Sequence, residues 1–330
     1  MRYFVTGATG FIGGEVARRL AARGDEVVAL VRDPARARAL AALGVTLAAG
    51  DVTDRESLRA PMTGVNGVFH IAGWYKIGAR DRRPGMAINV DGTRNVLETM
   101  RELGVRKGVY TSTVAIFSDT HGQVPDETYR YDGPHLTEYD RTKWLAHYDV
   151  AEPLARAGLP LVIVLPGLVY GPGDTSAVHD SLAQYVRGKL PAIPSVTAYC
   201  WAHVGDTAQG HLLAMDRGLP GEEYIIAGEV ATMVDALAMA QRVTGVRAPT
   251  LRLAPGMLRV SSALVRPFEG PLGLQGMYTA EGLRDMAGVT YLGSNAKARR
   301  DLGYAPRPLE EGLPSALAWE MEQAGIKSTR

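Results

Sequence analysis

Short apolar runs alternate with longer amphipathic stretches along the first half of the chain. The stretches Ile12–Arg23 and Val90–Leu103 carry apolar residues at helical spacing. The runs are rich in valine, isoleucine and leucine and are bounded by glycine, proline or aspartate, which is typical of buried strands. They lie at Tyr3–Val5, Val27–Val31, Val45–Ala48, Val68–Ile71, Val109–Thr111 and Leu161–Leu165. This alternation predicts right-handed crossovers and a parallel sheet with helices on both faces.

The alternation ends after Pro166, where glycine and proline become frequent. We predict one late strand at Ile225–Ala227 and helices at Val234–Thr244 and Ala296–Leu302. The predicted fold class is α/β, a doubly wound parallel sheet with a smaller, mostly helical C-terminal lobe. The predicted boundaries are 1–168 plus about 203–228 for the first domain, and 169–202 and 229–330 for the lobe.

Composition and charge exclude several classes of protein. The 330 residues are 46% hydrophobic with a formal net charge of +1, so the chain as a whole has no strong field for nucleic acid or membrane. Cys200 is the single cysteine, which excludes an intrachain disulfide and favours a reducing compartment. The sequence has neither a long apolar run nor a secretion signal at its N-terminus. We therefore expect a cytoplasmic protein without nucleic-acid or membrane partners.

A glycine-rich motif joins the first strand to the first helix. Gly7 allows a tight turn, Gly10 lets backbone approach a pyrophosphate, and Gly13 allows close helix packing. Free N–H groups at a helix N-terminus bind phosphate. A turn without a ligand is the alternative, which the strand-turn-helix context disfavours. The motif predicts a Rossmann dinucleotide-binding domain with cofactor contacts from Gly7, Thr9, Gly10, Phe11, Ile12 and Gly13.

The second strand ends with Val-Arg-Asp-Pro, and this end decides between the two nicotinamide cofactors. Enzymes that use NAD usually place an acidic residue about 20 residues beyond the glycines. Arg32 can pair with the 2′-phosphate of NADP, and Arg36 is a second candidate. Asp33 is the rival, but it also fits the N-cap of a helix that starts at Pro34. We predict NADP(H) in preference to NAD(H).

A tyrosine and a lysine at positions i and i+4 supply candidate chemistry. On a helix Tyr139 and Lys143 share a face, and the lysine charge would favour the phenolate, so the phenol could act as acid or base. An exposed helical pair is the alternative. At the end of the fifth strand, the hydroxyl of Thr113, or as second choice of Ser112, could stabilise charge on a carbonyl oxygen. Asp51, after the third strand, could bind the adenine amino group or cap the next helix.

These residues belong to an ordered set of motifs. They are Thr6–Gly13, Gly50–Val52, His70–Gly73, Asn89–Thr93, Ser112–Thr113, Tyr139-x-x-x-Lys143 and Leu165–Pro172. In this order they resemble the extended short-chain dehydrogenases/reductases, the NAD-dependent epimerase/dehydratase family, over nearly the whole chain. Val-Arg-Asp-Pro resembles the dihydroflavonol reductase and 3β-hydroxysteroid dehydrogenase-like group within that branch.

The resemblance implies roles for individual residues. Tyr139 would be the general acid/base, Lys143 would lower its pKa and hold the nicotinamide ribose, and Thr113 would polarise the carbonyl. Thr113 stands where many members have serine, which preserves the hydroxyl. Tyr139 and Lys143 would also contact the cofactor, together with Asp51, Val52, Ile71, Ala72, Gly73, Asn89, Thr111, Pro166, Gly167 and Val169.

The predicted activity is reversible reduction of a ketone or aldehyde on a small, mainly apolar substrate by NADP(H). Aromatic side chains at Trp74, Tyr75 and Tyr170 would line the substrate pocket, together with nearby Tyr199 and Trp201, although core packing is the alternative for each one. The spacing of the histidines predicts no metal site. The resemblance also implies a homodimer formed through two helices of the Rossmann domain.

Two other functions fit the same motifs. A nucleotide-sugar epimerase with bound NAD would need a diphosphate pocket, for which Arg187, Arg252 and Arg259 are candidates. A non-catalytic NADP-sensing regulator is the second alternative. Such regulators commonly lack the tyrosine and lysine that are intact at Tyr139 and Lys143.

Overall fold

A computed structural model describes residues 1–326 of the chain. The main sheet has seven strands in the order β10-β6-β5-β4-β1-β2-β3, and all neighbouring strands in it are parallel. The strands are β1 Arg2–Thr6, β2 Glu26–Val31, β3 Thr46–Ala49, β4 Gly67–His70, β5 Gly108–Thr111, β6 Leu161–Pro166, β7 Leu168–Tyr170, β8 Ile193–Pro194, β9 Ala198–His203, β10 Glu223–Ile226, β11 Glu229–Thr232, β12 Arg252–Leu253 and β13 Thr290–Tyr291. The predicted doubly wound sheet and its late strand are confirmed.

Helices cover both faces of this sheet. They are α1 Phe11–Ala22, α2 Arg38–Ala41, α3 Glu56–Met62, α4 Arg83–Gly85, α5 Gly92–Glu102, α6 Glu138–Leu145, α7 Glu152–Arg156, α8 Ala177–Val186, α9 Val204–Arg217, α10 Met233–Thr244, α11 Pro255–Val265, α12 Glu269–Leu272, α13 Ala280–Asp285 and α14 Leu309–Gln323. Three segments are π-helical: Met86–Asp91, Ala146–Ala151 and Ala298–Leu302. The first joins α4 to α5 and the second joins α6 to α7 without a break.

Side chains that alternate along each strand build two separate cores, because successive residues of a strand point to opposite faces. In β1, Phe4 joins the core under α3 and α5, whereas Tyr3 and Val5 join the core under α1 and α9. Both faces of the sheet are therefore buried, which explains why the strands appear in the sequence as continuous apolar runs.

The later part of the chain contains two small sheets that the sequence did not predict. Strand β9 pairs with β7, β11 and β13, and β8 pairs with β12. Several of these strands are only two residues long, too short for a recognisable pattern. Helices α8, α10 and α14 pack over them around a third core. No helix in the described part of the chain is long and apolar enough to cross a membrane.

The two parts of the chain meet closely where β6 continues into β7. A Cβ on Gly167 would lie 2.3 Å from the carbonyl oxygen of Cys200 in β9. Only glycine allows this approach of two backbones. Gly167, predicted as a cofactor contact, thus has a packing role at the same edge of the sheet, between buried Pro166 and partly exposed Val169.

Candidate functional site

The carboxyl ends of β1, β4, β5 and β6 meet at one edge of the sheet, and the glycine turn lies there. Gly7 has a positive φ of 75°, and a Cβ on it would lie 2.6 Å from the backbone nitrogen of Ala72. A Cβ on Gly13 would lie 2.2 Å from the Gly7 carbonyl oxygen. Gly10 is the N-cap of α1 and offers no side chain, so the first N–H groups of the helix stay free. This cradle fits the pyrophosphate of a dinucleotide.

A buried polar chain fixes the loop after β4 to this turn. Thr6 Oγ1 accepts hydrogen bonds from the backbone nitrogens of Ile71 and Ala72, both at 3.2 Å, and lies 2.8 Å from His70 Nδ1. His70 Nε2 lies 3.0 Å from Thr93 Oγ1. Burial lowers the pKa of His70 to about 3, so the ring is neutral. With two donors already on its oxygen, Thr6 donates to Nδ1, and His70 donates from Nε2.

The end of β2 has the arrangement that the sequence predicted. Asp33 is the N-cap of a 3₁₀ turn at Pro34–Arg36 and accepts a 3.0 Å hydrogen bond from Ala35 N. Arg32 and Arg36 are exposed, and neither side chain has a hydrogen-bond partner in the described part of the chain. Two guanidinium groups without side-chain partners therefore stand beside a carboxylate that already accepts one hydrogen bond.

Asp51 does not cap the next helix. Its Oδ1 accepts hydrogen bonds at 2.9 Å from both the backbone nitrogen and the hydroxyl of Thr53, and Arg55 takes the N-cap position of α3. Asp51 also lines an open cavity of about 430 Å³ with Ala87 and Ile88. Its neighbour Val52 is buried in the core, where it packs against Gly92. Asp51 remains a candidate for adenine, whereas the side chain of Val52 serves the core.

Lys143 makes contacts that the sequence did not predict. Its Nζ donates to the carbonyl oxygen of Thr111 at 2.6 Å and to the hydroxyl of Tyr110 at 3.2 Å. Burial lowers the pKa of Lys143 to about 7. Burial also raises the pKa of Tyr139, and the carboxylate of Asp140 adds to this rise. The expected lowering of the Tyr139 pKa by Lys143 is therefore not met here, because the ammonium binds β5 instead.

The hydroxyls at the end of β5 have different partners. Ser112 Oγ lies 2.8 Å from Nδ1 of buried His147, so it belongs to the core. Thr113 is the N-cap of the 3₁₀ turn Val114–Phe117, and its Oγ1 accepts from Ala115 N at 3.2 Å. As an acceptor there, Thr113 keeps its own O–H free to donate. The side chain of Thr113 interacts with Tyr139 and partly offsets the rise in that pKa. Of the two hydroxyl groups, Thr113 is therefore the one that is not held by the core.

Asn89 holds the site together from the π-helical segment Met86–Asp91. Its Oδ1 accepts from Trp74 N at 2.7 Å, and its Nδ2 donates to Trp74 O at 3.0 Å and to Thr142 Oγ1 at 2.9 Å. Both amide donors are used within the protein. Asn89, predicted as a cofactor contact, instead ties the loop after β4 to α6, which carries Tyr139.

The predicted aromatic pocket is assembled only in part. The rings of Tyr75 and Tyr139 meet edge to face with centroids 4.8 Å apart. Trp74 is buried against Gly85. Tyr170 does not reach the site: it is fully buried in the third core, where it packs against Trp201. Half-buried Tyr199 lies near Tyr75, whose side chain is 45% exposed.

An acidic cluster below these tyrosines was missed in the sequence. Tyr291 bonds to the carboxyl groups of both Asp140 and Asp285. The Thr137–Asp140 capping box, in which each residue bonds the backbone of the other, was readable as a local signal. Asp285 and Tyr291 come from the far end of the chain and carry no such signal.

A cavity of about 470 Å³ lies beside the site, and most of its charge is positive. Arg80, Arg82, Arg266, Arg284, Glu269 and Glu281 are among its lining residues. Glu281 accepts from the backbone nitrogen of Glu138, next to Tyr139, at 3.2 Å, and pairs with Arg82 at 2.9 Å. The three arginines predicted for a diphosphate, Arg187, Arg252 and Arg259, are exposed and do not line it.

Comparison with known proteins places the chain among related enzymes. Residues 3–227 match the model of the NAD-dependent epimerase/dehydratase family. Sterol demethylase protein B of Methylococcus capsulatus is 31% identical over 99% of this chain and 100% of its own length. A putative dihydroflavonol 4-reductase of Synechocystis is 32% identical over 99% of this chain and 96% of its own length. The crystal structure of gox2253 is 34% identical with a TM-score of 0.85, and covers 98% of this chain and 99% of that one.

Proposed function

Because this chain belongs to the NAD-dependent epimerase/dehydratase family, we propose that it is an NADP(H)-dependent oxidoreductase that reduces the carbonyl group of a small, mainly apolar substrate. One observation carries the proposal: the phenol of Tyr139 stands beside the free hydroxyl of Thr113. The phenol of Tyr139 is protonated at neutral pH, as a free phenol is, and burial raises its pKa further. The protonated acid is the form that carbonyl reduction consumes.

When bound, the nicotinamide dinucleotide supplies the hydride to the carbonyl carbon. Thr113 donates a hydrogen bond to the carbonyl oxygen and stabilises the charge that develops on it. Tyr139 transfers its proton to the same oxygen, so the product is an alcohol, and the phenolate regains a proton from solvent. The Thr111 carbonyl oxygen holds Lys143 at the strand end. Burial lowers the pKa of Lys143 to about 7, so its amine is present in both charged and neutral forms near neutral pH. The predicted contact of Lys143 with the nicotinamide ribose fits this position.

Preference for NADP(H) is supported by the end of β2. The side chains of Arg32 and Arg36 make no hydrogen bonds within the described part of the chain. A 2′-phosphate would give their guanidinium groups a bidentate partner. Asp33, which would otherwise accept from the 2′-hydroxyl of NAD, is occupied in part by Ala35 N. The glycine cradle serves both cofactors equally, so the discrimination falls on these three residues.

The apolar substrate is supported by what surrounds Tyr139. The rings of Tyr75 and Tyr199 give the site aromatic walls. Two of the relatives are named for a sterol and a dihydroflavonol, which are largely apolar ring systems. The second name also describes a reductase.

Nucleotide-sugar epimerisation is the second candidate function. The arginine-lined cavity beside Tyr139 favours it, because guanidinium groups bind diphosphates well. An epimerase needs its dinucleotide to stay bound and returns the hydride to the same substrate. Cofactor retention therefore separates the two functions.

The test is a calorimetric titration with NADPH and with NADH on the wild-type protein and on Arg32→Ala. Arg101→Ala, an exposed arginine on α5, is the matched control. Loss of a charge-assisted bond costs about 1.5–3 kcal/mol, so we expect NADPH affinity to fall roughly 10- to 100-fold in Arg32→Ala only, and NADH affinity to change little. Preference for NADH in the wild type, or NAD that stays bound through purification, would contradict the proposal and favour the epimerase. Ketones and aldehydes would then be tested as substrates with the preferred cofactor.

A further inference from the structure

A continuous helical path from residue 255 to 272 presents apolar side chains to solvent. It consists of α11, a 3₁₀ turn at Arg266–Phe268 and α12. Side chains three and four residues apart share one side of a helix. Five such side chains, called here the apolar stripe, are 55–67% exposed: Met257, Val260, Leu264, Phe268 and Leu272. Contiguous exposed apolar surface of this kind marks an interaction site.

Helix α11 is attached to the protein by a narrow face only. Leu258 and Ser262 are its buried residues, and Ser262 Oγ donates to the carbonyl oxygen of Ala280 in α13 at 2.8 Å. The stripe lies outside this contact. The helix is therefore anchored on one side, and its apolar side has no partner within the described part of the chain.

Exposed arginines flank the apolar stripe. Arg252, Arg259 and Arg266 are exposed, and Arg247 precedes them. Between residues 245 and 280 the only acidic residue is Glu269, and its carboxylate accepts a hydrogen bond from the backbone nitrogen of Ala280. The surface is thus apolar and locally cationic, although the whole chain has a net charge of only +1.

This combination of charges argues against a second copy of the chain as the partner. In a twofold contact the same patch meets itself, so arginines would face arginines with a single acidic residue on each side. Like charges brought together in this way oppose association. The partner must instead carry negative charge beside an apolar surface.

We propose that the apolar stripe and its flanking arginines form a docking surface for an anionic lipid bilayer. A helix with an apolar side and arginines beside it lies in the plane of a membrane interface, with its apolar residues below the headgroups. Arg259 and Arg266 pair with lipid phosphates, which attract basic residues near the surface. Phe268 and nearby exposed Tyr278 suit the interfacial layer, where aromatic side chains concentrate. No part of the chain needs to cross the bilayer.

The docking surface borders the arginine-lined cavity that lies beside the candidate active site. The arginine-lined cavity reaches Arg266 and Glu269 at the end of the stripe, and Arg80 Nη2 donates to the carbonyl oxygen of Gly270 there at 2.9 Å. Glu281, on the cavity wall, bonds the backbone of Glu138 beside Tyr139. Docking would therefore place the cavity next to the lipid, where an apolar carbonyl compound partitions. This link to substrate uptake rests on the proposed function, whereas the docking surface itself does not.

The experiment is co-sedimentation of the full chain with vesicles of phosphatidylcholine alone and of phosphatidylcholine mixed with phosphatidylglycerol. The test variant is the double substitution Leu264→Ser, Phe268→Ser, and the matched control is Leu43→Ser, Leu219→Ser, two exposed leucines outside the stripe. We expect the wild type and the control to bind the anionic vesicles, with affinity that falls as salt rises. Binding by the test variant should fall roughly tenfold or more, since two large apolar groups no longer insert. Arg259→Glu should also weaken binding to anionic vesicles, and the loss of affinity should be larger at low salt than at high salt.

Three results would overturn the proposal. They are the absence of binding to any vesicle, equal binding by the test variant, and a dimer in analytical ultracentrifugation that the test variant dissociates. NADPH oxidation with a water-soluble ketone provides the separate readout for the proposed function, and the test variant should leave it unchanged. Vesicle binding without carbonyl reduction would support the docking surface and contradict the proposed function. Carbonyl reduction without vesicle binding would support the proposed function and contradict the docking surface.

Discussion

The hydroxyl oxygen of Tyr291 lies 2.5 Å from Asp285 Oδ1. The same oxygen lies 3.1 Å from Oδ2 of Asp140, the residue next to Tyr139. Both carboxyl groups are buried, and a phenol has one proton to donate. Two buried carboxyl groups on one phenol repel each other when both are ionised, and this favours a proton on one of them. Burial and mutual repulsion raise the pKa of Asp140, and burial raises the pKa of Asp285 to about 6.

This cluster makes stability depend on pH in a defined direction. Asp285 binds its proton more tightly in the folded chain, with a pKa of about 6 against 3.8 for a free side chain, so the free energy of unfolding falls as pH rises from about 4 to about 6. Asp285→Asn should remove this part of the slope, roughly 1–3 kcal/mol over the interval. Urea unfolding at a series of pH values measures it. Asp149→Asn, an exposed carboxylate, should retain the wild-type slope; equal slopes in all three proteins would show that the buried pair holds no extra proton.

Tyr139 is predicted to be the proton donor. Tyr139→Phe keeps the ring against Tyr75 but removes the proton, so kcat for ketone reduction should fall about 10²- to 10⁴-fold while NADPH affinity stays within a few-fold. Steady-state kinetics and NADPH titration separate these quantities. The matched variant Tyr131→Phe loses a peripheral hydroxyl that donates to Pro134 O at 2.8 Å, and should keep wild-type kcat. A Tyr139→Phe enzyme with undiminished kcat would assign the proton transfer to another group.

The parts of the site that were predictable are those encoded locally. Buried strands, the glycine turn and the Asp33 cap each depend on neighbouring residues, and the structure has all three where the sequence places them. The bond between Tyr291 and Asp140 joins residues 151 positions apart, so no window of sequence contains both. Tyr170 follows β6 as a pocket residue would, but the unpredicted second sheet turns it into the third core.

The net charge of the whole chain also conceals a local excess of positive charge. The net charge of +1 predicted that no membrane surface would attract the chain, and the number is correct for the whole molecule. The proposed docking surface depends instead on four arginines and one glutamate between residues 245 and 280. Whether these residues lie beside exposed apolar groups is decided by tertiary packing, because the same apolar spacing is typical of a helix that faces the core.

Asn89 should affect catalysis through the position of other groups. Asn89→Ala leaves the backbone N–H and C=O of buried Trp74 and the hydroxyl of Thr142 without this partner, which should cost about 2–4 kcal/mol in unfolding free energy and lower kcat. Asn89→Asp keeps the acceptor for Trp74 N but turns a buried oxygen toward Trp74 O and Thr142 Oγ1, so it should lose at least as much of both. Urea unfolding and kcat are measured together on each variant.

The comparison for Asn89 is Asn66→Ala. Asn66 Oδ1 accepts from Arg2 N at 2.7 Å at the opposite end of β1, so this variant should lose stability without a specific loss of kcat. If both alanine variants lower kcat equally for the same loss of stability, Asn89 has no positioning role.

Gly13 should be required for the cofactor more than for the fold. In Gly13→Ala the new methyl group would lie 2.2 Å from the Gly7 carbonyl oxygen, so the turn and α1 must separate. We expect NADPH affinity to fall at least about tenfold, because the free N–H groups of α1 leave the phosphate position. Isothermal titration calorimetry measures this. Gly256→Ala, where the methyl group meets open space, should bind NADPH as the wild type does; unchanged affinity in Gly13→Ala would place the phosphates elsewhere.

The π-helical segment Met86–Asp91, which carries Asn89, makes the site sensitive to the number of residues in that segment. Each residue of an α-helix advances the chain by about 100° around the axis. Deleting one residue from Met86–Asp91 would let the segment regain an ordinary helix and keep its backbone hydrogen bonds, yet it would rotate Asn89 away from either Trp74 or Thr142. Neighbouring residues can compensate for a substitution, but they cannot compensate for a deletion that rotates the helix. The length of this segment is therefore as much a part of the site as the identity of its residues.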